Sequence, residues 1–198
     1  MKTQKFKFTE TLILTLLAAG MLVSAACGGS NSEGGGKNTT DKKENVKPPA
    51  MDIHTAALLG DLDAIEQHIL AGTDLNQREP TVGSSPLITA AMFGKTEVAR
   101  ALIEAGADVN LQNNEGSTPL HTAAFLCRTE IVRMLLDHGA DKTLRNVYGS
   151  TPLESVAGPF EEIKGIYDVF SRDLGPLGLK LDYRYLEETR PVIADMLR

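Results

Sequence analysis

Cysteine is scarce: the 198 residues hold two, Cys27 and Cys127. That number excludes a disulfide framework once Cys27 is committed elsewhere, as argued below, and an exported domain would then be held by its core alone. Metal signatures are missing as well. His54, His68, His121 and His138 form neither HExxH nor a Cys/His cluster with ligand spacing. No GxSxG or dinucleotide fingerprint occurs, and Cys127 has no histidine near it in sequence to act as its base. Gly34-Gly35-Gly36-Lys37 fails as a phosphate loop, because Asn31 stands where the first glycine belongs and Asn38 replaces Ser or Thr. The many carboxylates are scattered along helix surfaces, where solvation explains them. No cofactor, no metal and no enzymatic activity are expected. One enzymatic alternative stays open, a hydrolase built on the C-terminal segment; it requires a deep pocket near Tyr167, Tyr183 and Tyr185 with convergent polar groups.

Leu12 to Val23 is an apolar run broken by Thr15 and Gly20. It is too short to span a bilayer comfortably. Lys2, Lys5 and Lys7 precede it, and the small residues Ser24-Ala25-Ala26 follow, so residues 1–26 read as a secretory signal peptide rather than part of the fold. Cys27 comes next, and the junction resembles a bacterial lipobox, with Ser24 where leucine is usual. The resemblance implies a lipidated Cys27 as mature N-terminus; cleavage without lipid and an uncleaved N-terminal anchor are the alternatives. Residues 27–50 are rich in Gly, Ser, Asn, Thr and Lys, and Val46 is the single aliphatic residue between Gly28 and Pro49. Such a segment cannot bury enough apolar surface to order itself, so it reads as a flexible tether. The expected location is the outer side of the cytoplasmic membrane or, since Gly28 rather than Asp follows the cysteine, the periplasmic face of an outer membrane.

Residues 51–198 carry 22 acidic and 13 basic residues, a net charge of −9. That sign repels nucleic acid and anionic lipid surfaces. Within this region one pattern repeats. Thr118-Pro119-Leu120-His121-Thr122-Ala123-Ala124 is preceded by Ser85-Pro86-Leu87-Ile88-Thr89-Ala90-Ala91 at 33 residues and followed by Thr151-Pro152-Leu153-Glu154 at 33, while Met51-Asp52-Ile53-His54-Thr55-Ala56-Ala57 lies 34 before the earlier copy. A second signature keeps the same phase: Gly72-Thr73-Asp74-Leu75-Asn76, Gly106-Ala107-Asp108-Val109-Asn110, Gly139-Ala140-Asp141.

Each unit predicts a turn, a helix, a short turn and a second helix. Ser85, Thr118 and Thr151 suit N-caps, and Pro86, Pro119 and Pro152 suit the first helical position. Leu87, Leu120 and Leu153 are expected to point inward. Val98, Leu102 and Ile103, then Ile131, Val132, Leu135 and Leu136, form the apolar stripes of the second helices. Gly72, Gly106 and Gly139 are expected to close them in the left-handed conformation. Gln67 and His68 replace the Met134 and Leu135 of the third unit, so that side of the first unit is expected to face water. After Val156-Ala157, the Gly158-Pro159 pair breaks the pattern. An amphipathic segment over about 160–174, a turn at Gly175-Pro176-Leu177-Gly178 and a final helix over about 183–197 follow, with Pro191 expected to kink or break that helix.

The period and the T-P-L-H-x-A core resemble ankyrin repeats. The resemblance covers about 51–157, and Thr189-Arg190-Pro191-Val192-Ile193-Ala194 is similar to the tail of small bacterial ankyrin proteins. Cys127 departs from the pattern, standing where Gly60 and Gly94 link the paired helices of their units. The implied fold is an all-α ankyrin solenoid of four repeats, about 51–83, 84–116, 117–149 and 150–198, with an elaborated helical C-terminal cap.

The resemblance implies a non-enzymatic interaction scaffold whose partners contact the fingers and the inner-helix face. On that face Leu58, Leu59, Met92, Phe93, Phe125 and Leu126 follow the alanine pairs, and if exposed they form one apolar strip, the mark of an interface. Packing between helices or beneath the C-terminal segment is the other reading. Arg78 and Glu79, then Gln112, Asn113, Asn114 and Glu115, then Arg145, Asn146 and Tyr148, supply a polar rim. The expected partner is a protein bound by a monomer, with membrane attachment through the lipid and no nucleic acid. Support of an envelope enzyme and neutralisation of an exported toxin are the roles implied.

Overall fold

The structure, a computed structural model, describes residues 46–198. The signal peptide read over residues 1–26 and the lipid site at Cys27 lie outside the described residues, as does most of the tether. Among the described residues helices are the only regular secondary structure, with no strand. Three helix pairs come first: α1 Ile53–Leu59 with α2 Leu62–Leu70, α3 Pro86–Phe93 with α4 Thr96–Glu104, and α5 Pro119–Phe125 with α6 Thr129–Asp137. Then come α7 Glu154–Ala157, α8 Phe160–Leu174, a 3-10 turn at Gly175–Leu177, and α9 Tyr183–Leu197. The odd-numbered members of the pairs stack into an inner row, α1 on α3 on α5 on α7, and α2, α4 and α6 form an outer row.

The caps follow from the repeated motif. The Ser85 hydroxyl accepts the Ile88 N–H at 3.2 Å. Thr118 accepts the His121 N–H at 3.2 Å and returns its own N–H to His121 Nδ1 at 3.3 Å, a reciprocal pair that satisfies two exposed donors. The His121 Nε2–H then donates to the Ser150 carbonyl at 3.0 Å, so this ring ties repeat three to repeat four. Leu87 and Leu120 are fully buried, as are the alanine pairs at 90–91 and 123–124, which lets neighbouring helices approach closely. The asparagines of the second signature join the units edge to edge. Asn76 Oδ1 accepts the Asp108 N–H at 2.8 Å, and Asn110 Oδ1 accepts the Asp141 N–H at 2.7 Å.

Repeat four departs from the expectation. Thr151 does accept the Glu154 N–H at 3.2 Å, but α7 begins only at Glu154 and holds four residues before Gly158 and Pro159 end it. Leu153 is half-buried rather than internal. The outer partner of α7 is α9, which also packs on α5 and α6. The cap is therefore a fourth helix pair, with α8 inserted between its members. Leu186, Ile193, Ala194 and Leu197 form the buried face of α9. This helix runs through Pro191 without a break; Pro191 and Glu187, whose carbonyl loses its donor, both lie on the exposed side where water serves instead.

One further position corrects the sequence reading, and another bears it out. His68 does not face water. It is buried, its Nε2–H donates to the Met51 carbonyl at 2.9 Å, and Nδ1 meets the Thr73 hydroxyl at 3.0 Å. The incoming chain thus closes the open side of repeat one through a satisfied polar contact, while Gln67 remains exposed. Cys127 takes the left-handed conformation of Gly60 and Gly94, with φ of 54° against 80° and 64°. That conformation costs a residue with a Cβ about 1–2 kcal/mol. The thiol is buried against the Leu186 carbonyl at 3.7 Å, and Tyr185 donates its hydroxyl to the Cys127 carbonyl at 3.3 Å, so the packing of α9 offsets the strain.

Candidate partner-binding groove

The six residues expected to form one apolar strip divide into two groups. Leu59 is 56 % exposed, and Leu58 and Phe93 are half-buried at the surface of repeats one and two. Met92 is half-buried and leans on the core. Phe125 packs against Tyr167 at a tilt, with ring centroids 4.8 Å apart, and meets Phe170 edge-on at 5.7 Å. Leu126 is 1 % exposed and belongs to the core, which corrects its place among the surface residues. The physical reason is α8. Tyr167 is fully buried, donates its hydroxyl to the Phe125 carbonyl at 2.6 Å and receives a hydrogen bond from Arg190 at 3.0 Å. Phe160 packs on the same ring at 5.7 Å. Helix α8 therefore lies over the inner face of repeat three and leaves that of repeats one and two open.

The open part is a groove of ≈ 320 Å³ between these two repeats and the end of α8, lined by Leu58, Val82, Met92, Phe93, Leu174 and Leu177 with His54, Glu79 and Asp173. It contains a finger residue, Glu79, whose role in its loop the sequence reading did not give. Glu79 holds the phase of Asn113 and Asn146 in the later repeats. Asn113 accepts the Glu115 and Ser117 N–H groups at 3.0 and 2.8 Å, and Asn146 accepts those of Tyr148 and Ser150, both at 3.1 Å. Glu79 performs the same task with a carboxylate, accepting from Thr81, Val82 and Ser84 at 2.7, 2.8 and 3.0 Å. Burial alone would raise its pKa, but the donors from Thr81, Ser84 and Val82 outweigh burial and hold it below the usual carboxylate range. His54, the counterpart of His121, has both ring nitrogens buried without a partner among the described residues. The signal lay in the periodic alignment: an acid where two later units have asparagine.

The polar rim is largely spent on its own structure. Gln112 donates to the carbonyls of Gly116 at 2.7 Å and Arg145 at 3.2 Å. Asn113 braces its loop as above. Asn114 is exposed, donating from its side chain to the Thr81 carbonyl at 3.3 Å and from its backbone to Val82 at 3.0 Å. The Glu115 carbonyl accepts the Val147 N–H at 2.9 Å, so consecutive fingers are tied together. Burial raises the pKa of the half-buried Glu115 carboxyl. Tyr148 is exposed, and partial burial and the Glu115 charge both raise its pKa.

None of the three tyrosines of the hydrolase alternative lines this groove or the cavity between α8 and repeats three and four. Tyr167 is packed inside, Tyr185 bonds Cys127, and Tyr183 packs against Phe160 and the Lys164 ammonium. Burial pushes the Cys127 thiol up to about 11, so it is a poor nucleophile near neutral pH. Among the described residues no group of three or more His, Cys, Asp or Glu is placed to hold a metal ion, and no helix is long and apolar enough to cross a membrane.

Residues 53–146 match the family model described as ankyrin repeats in three copies, over the helix pairs just described. These helix pairs are ankyrin repeats. The ankyrin repeat domain of Bcl-3 shares the fold with a TM-score of 0.51 and 31 % identity over 52 % of this chain and 45 % of that one. The chain is 36 % identical over 66 residues to human DNA-binding protein RFXANK, covering 33 % of this chain and 25 % of that protein. It is 36 % identical over 61 residues to mouse inversin, covering 31 % and 6 %, and 36 % identical over 63 residues to mouse protein phosphatase 1 regulatory subunit 27, covering 32 % and 40 %. The ankyrin chain thus spans less than half the length of each. Ankyrin repeats mark a protein–protein interaction scaffold.

Burial lowers the pKa of both repeat histidines, His54 and His121, although Asp52 and Glu79 raise that of the first and the bond to Ser150 that of the second. The folded state therefore favours the neutral rings. Their contribution is present above the ordinary histidine pKa of 6.5 and is lost as pH falls through and below it. Urea midpoints are expected to drop between about pH 7.5 and pH 5, and His121→Gln is expected to flatten that dependence. An unchanged slope in the variant would remove His121 from the account.

Proposed function

We propose that this ankyrin-repeat protein is a non-enzymatic scaffold, held by a lipid on Cys27 at the outer side of a bacterial membrane, where one monomer binds one protein partner. The observation that carries the reading is the open apolar groove of repeats one and two. Leu58, Met92 and Phe93 line it beside the finger at 79–84, while the equivalent face of repeat three is covered by α8; Leu59 is exposed but does not line it. Large contiguous apolar surface on a soluble domain calls for a partner. The acidic balance of residues 51–198 argues against nucleic acid and favours a partner with a basic rim around an apolar centre.

Two experiments separate the parts of this reading. Cys27→Ala should move the protein from the membrane fraction to the soluble fraction; continued membrane association through an uncleaved N-terminus would refute the lipid anchor. Crosslinked capture from intact cells with wild type and Leu58→Ser/Phe93→Ser should return one envelope or exported protein with the wild type alone. Equal capture by both would move the interface off this groove.

A further inference from the structure

A second cavity of ≈ 290 Å³ lies between α8 and the inner face of repeats three and four. Phe125, Ile163, Ile166 and Phe170 give it apolar walls. An apolar cavity of about 150 Å³ accommodates a benzene ring, so this one has room for about two such groups. Four charged residues also line it, Arg190 with Glu115, Glu154 and Glu162. Arg190 is 3 % exposed. It donates to the Tyr167 hydroxyl and the Gly158 carbonyl, both at 3.0 Å, and none of the ion pairs among the described residues includes it. Buried cations are normally matched by an anion, and two neutral oxygens leave this charge uncompensated. Glu115 is half-buried and makes no side-chain hydrogen bond among the described residues. The other acids of the lining are placed differently. Glu154 is held by Arg145 and the Thr151 N–H, and Glu162 is exposed in the first turn of α8.

A buried guanidinium and a half-buried carboxylate that share one cavity without pairing with each other match a ligand with both complementary groups. We propose that this cavity binds a carboxylate-terminated apolar amino-acid unit, its carboxylate on Arg190, its side chains against Phe125 and Ile166, and its adjoining N–H or ammonium group toward Glu115. A free dipeptide and the C-terminus of a longer chain carry the same chemistry. This inference does not rest on the scaffold reading, because that groove belongs to repeats one and two and its test is partner capture in cells.

The test is calorimetric titration of the purified chain with Leu-Leu, N-acetyl-Leu-Leu and Leu-Leu amide. Leu-Leu or its acetylated form should bind with a Kd of about a millimolar or below, and the amide should bind about tenfold or more weakly, since it lacks the anion for Arg190. A stronger response to the free dipeptide assigns the site to free dipeptides, and Glu115→Gln should then remove that preference. A stronger response to the acetylated form assigns it to chain termini. Because Arg190→Gln risks unfolding, Ile166→Trp serves as the second variant: it should fill the cavity and abolish binding with an unchanged circular dichroism spectrum. Equal binding of the acid and amide forms, no binding of any at about 10 mM, or full binding to a folded Ile166→Trp chain would overturn the proposal.

Discussion

Tyr167→Ala is expected to destabilise the protein by about 3–5 kcal/mol, the range for truncating a buried aromatic side chain. The ring is fully buried between Phe125 and Phe160, and no other α8 side chain bonds the inner row so directly. Its loss leaves a void and also removes the partner of the Phe125 carbonyl and one acceptor of Arg190. Tyr167→Phe keeps the ring and removes the hydroxyl alone, which should cost about 1–3 kcal/mol for the polar groups left unpaired. Urea unfolding of the two variants separates packing from hydrogen bonding. Hydrogen exchange adds a local readout: in the alanine variant the amides of α8 should lose protection more than those of α5. Uniform loss would show that α8 is integral to the solenoid rather than laid upon it.

Leu120→Ala should cost about 2–5 kcal/mol by urea unfolding, a large share of the about 5–15 kcal/mol that ordinarily holds a domain folded. Leu120 is fully buried in α5, which packs on α3 to one side and α7 to the other. In a stacked array a central unit contributes to two interfaces and a terminal unit to one. Leu153 has the same place in repeat four but is half-buried, so Leu153→Ala should cost clearly less. Equal losses at the two positions would contradict the assignment of repeat four as a capping unit.

Most of the helical framework was legible because the repeated motif carries its own local physics. A hydroxyl at 85 and 118, proline after it and leucine next specify a capped helix with an inward side chain, and the structure has both. The bounds of α8 and α9 also coincide with the segments read over 160–174 and 183–197: Gly-Pro pairs flank α8, and Asp182 caps α9 by accepting the Tyr185 N–H. What covers each apolar face was not legible. Periodicity shows that Phe125 lies on an apolar face, but the ring that covers it, Tyr167, comes 42 residues later and is brought there by tertiary packing. His68 misled for a similar reason: a polar residue in a core phase reads as exposed until a distant carbonyl, that of Met51, satisfies it. Of the candidate site, the positions of Leu58, Met92 and Phe93 followed from the repeat register, whereas the substitution of Glu79 for asparagine becomes informative only when its loop bonds are seen beside an unpartnered His54.

The central claim is that the open groove of repeats one and two holds the partner, and photocrosslinking tests it most directly. A benzophenone amino acid would be placed at Phe93 in the groove, and at Val192, which is exposed on the outer face of α9. In intact cells position 93 should give one discrete crosslinked protein and position 192 none. A product at 192 with none at 93 would place the interface on the cap and contradict the account.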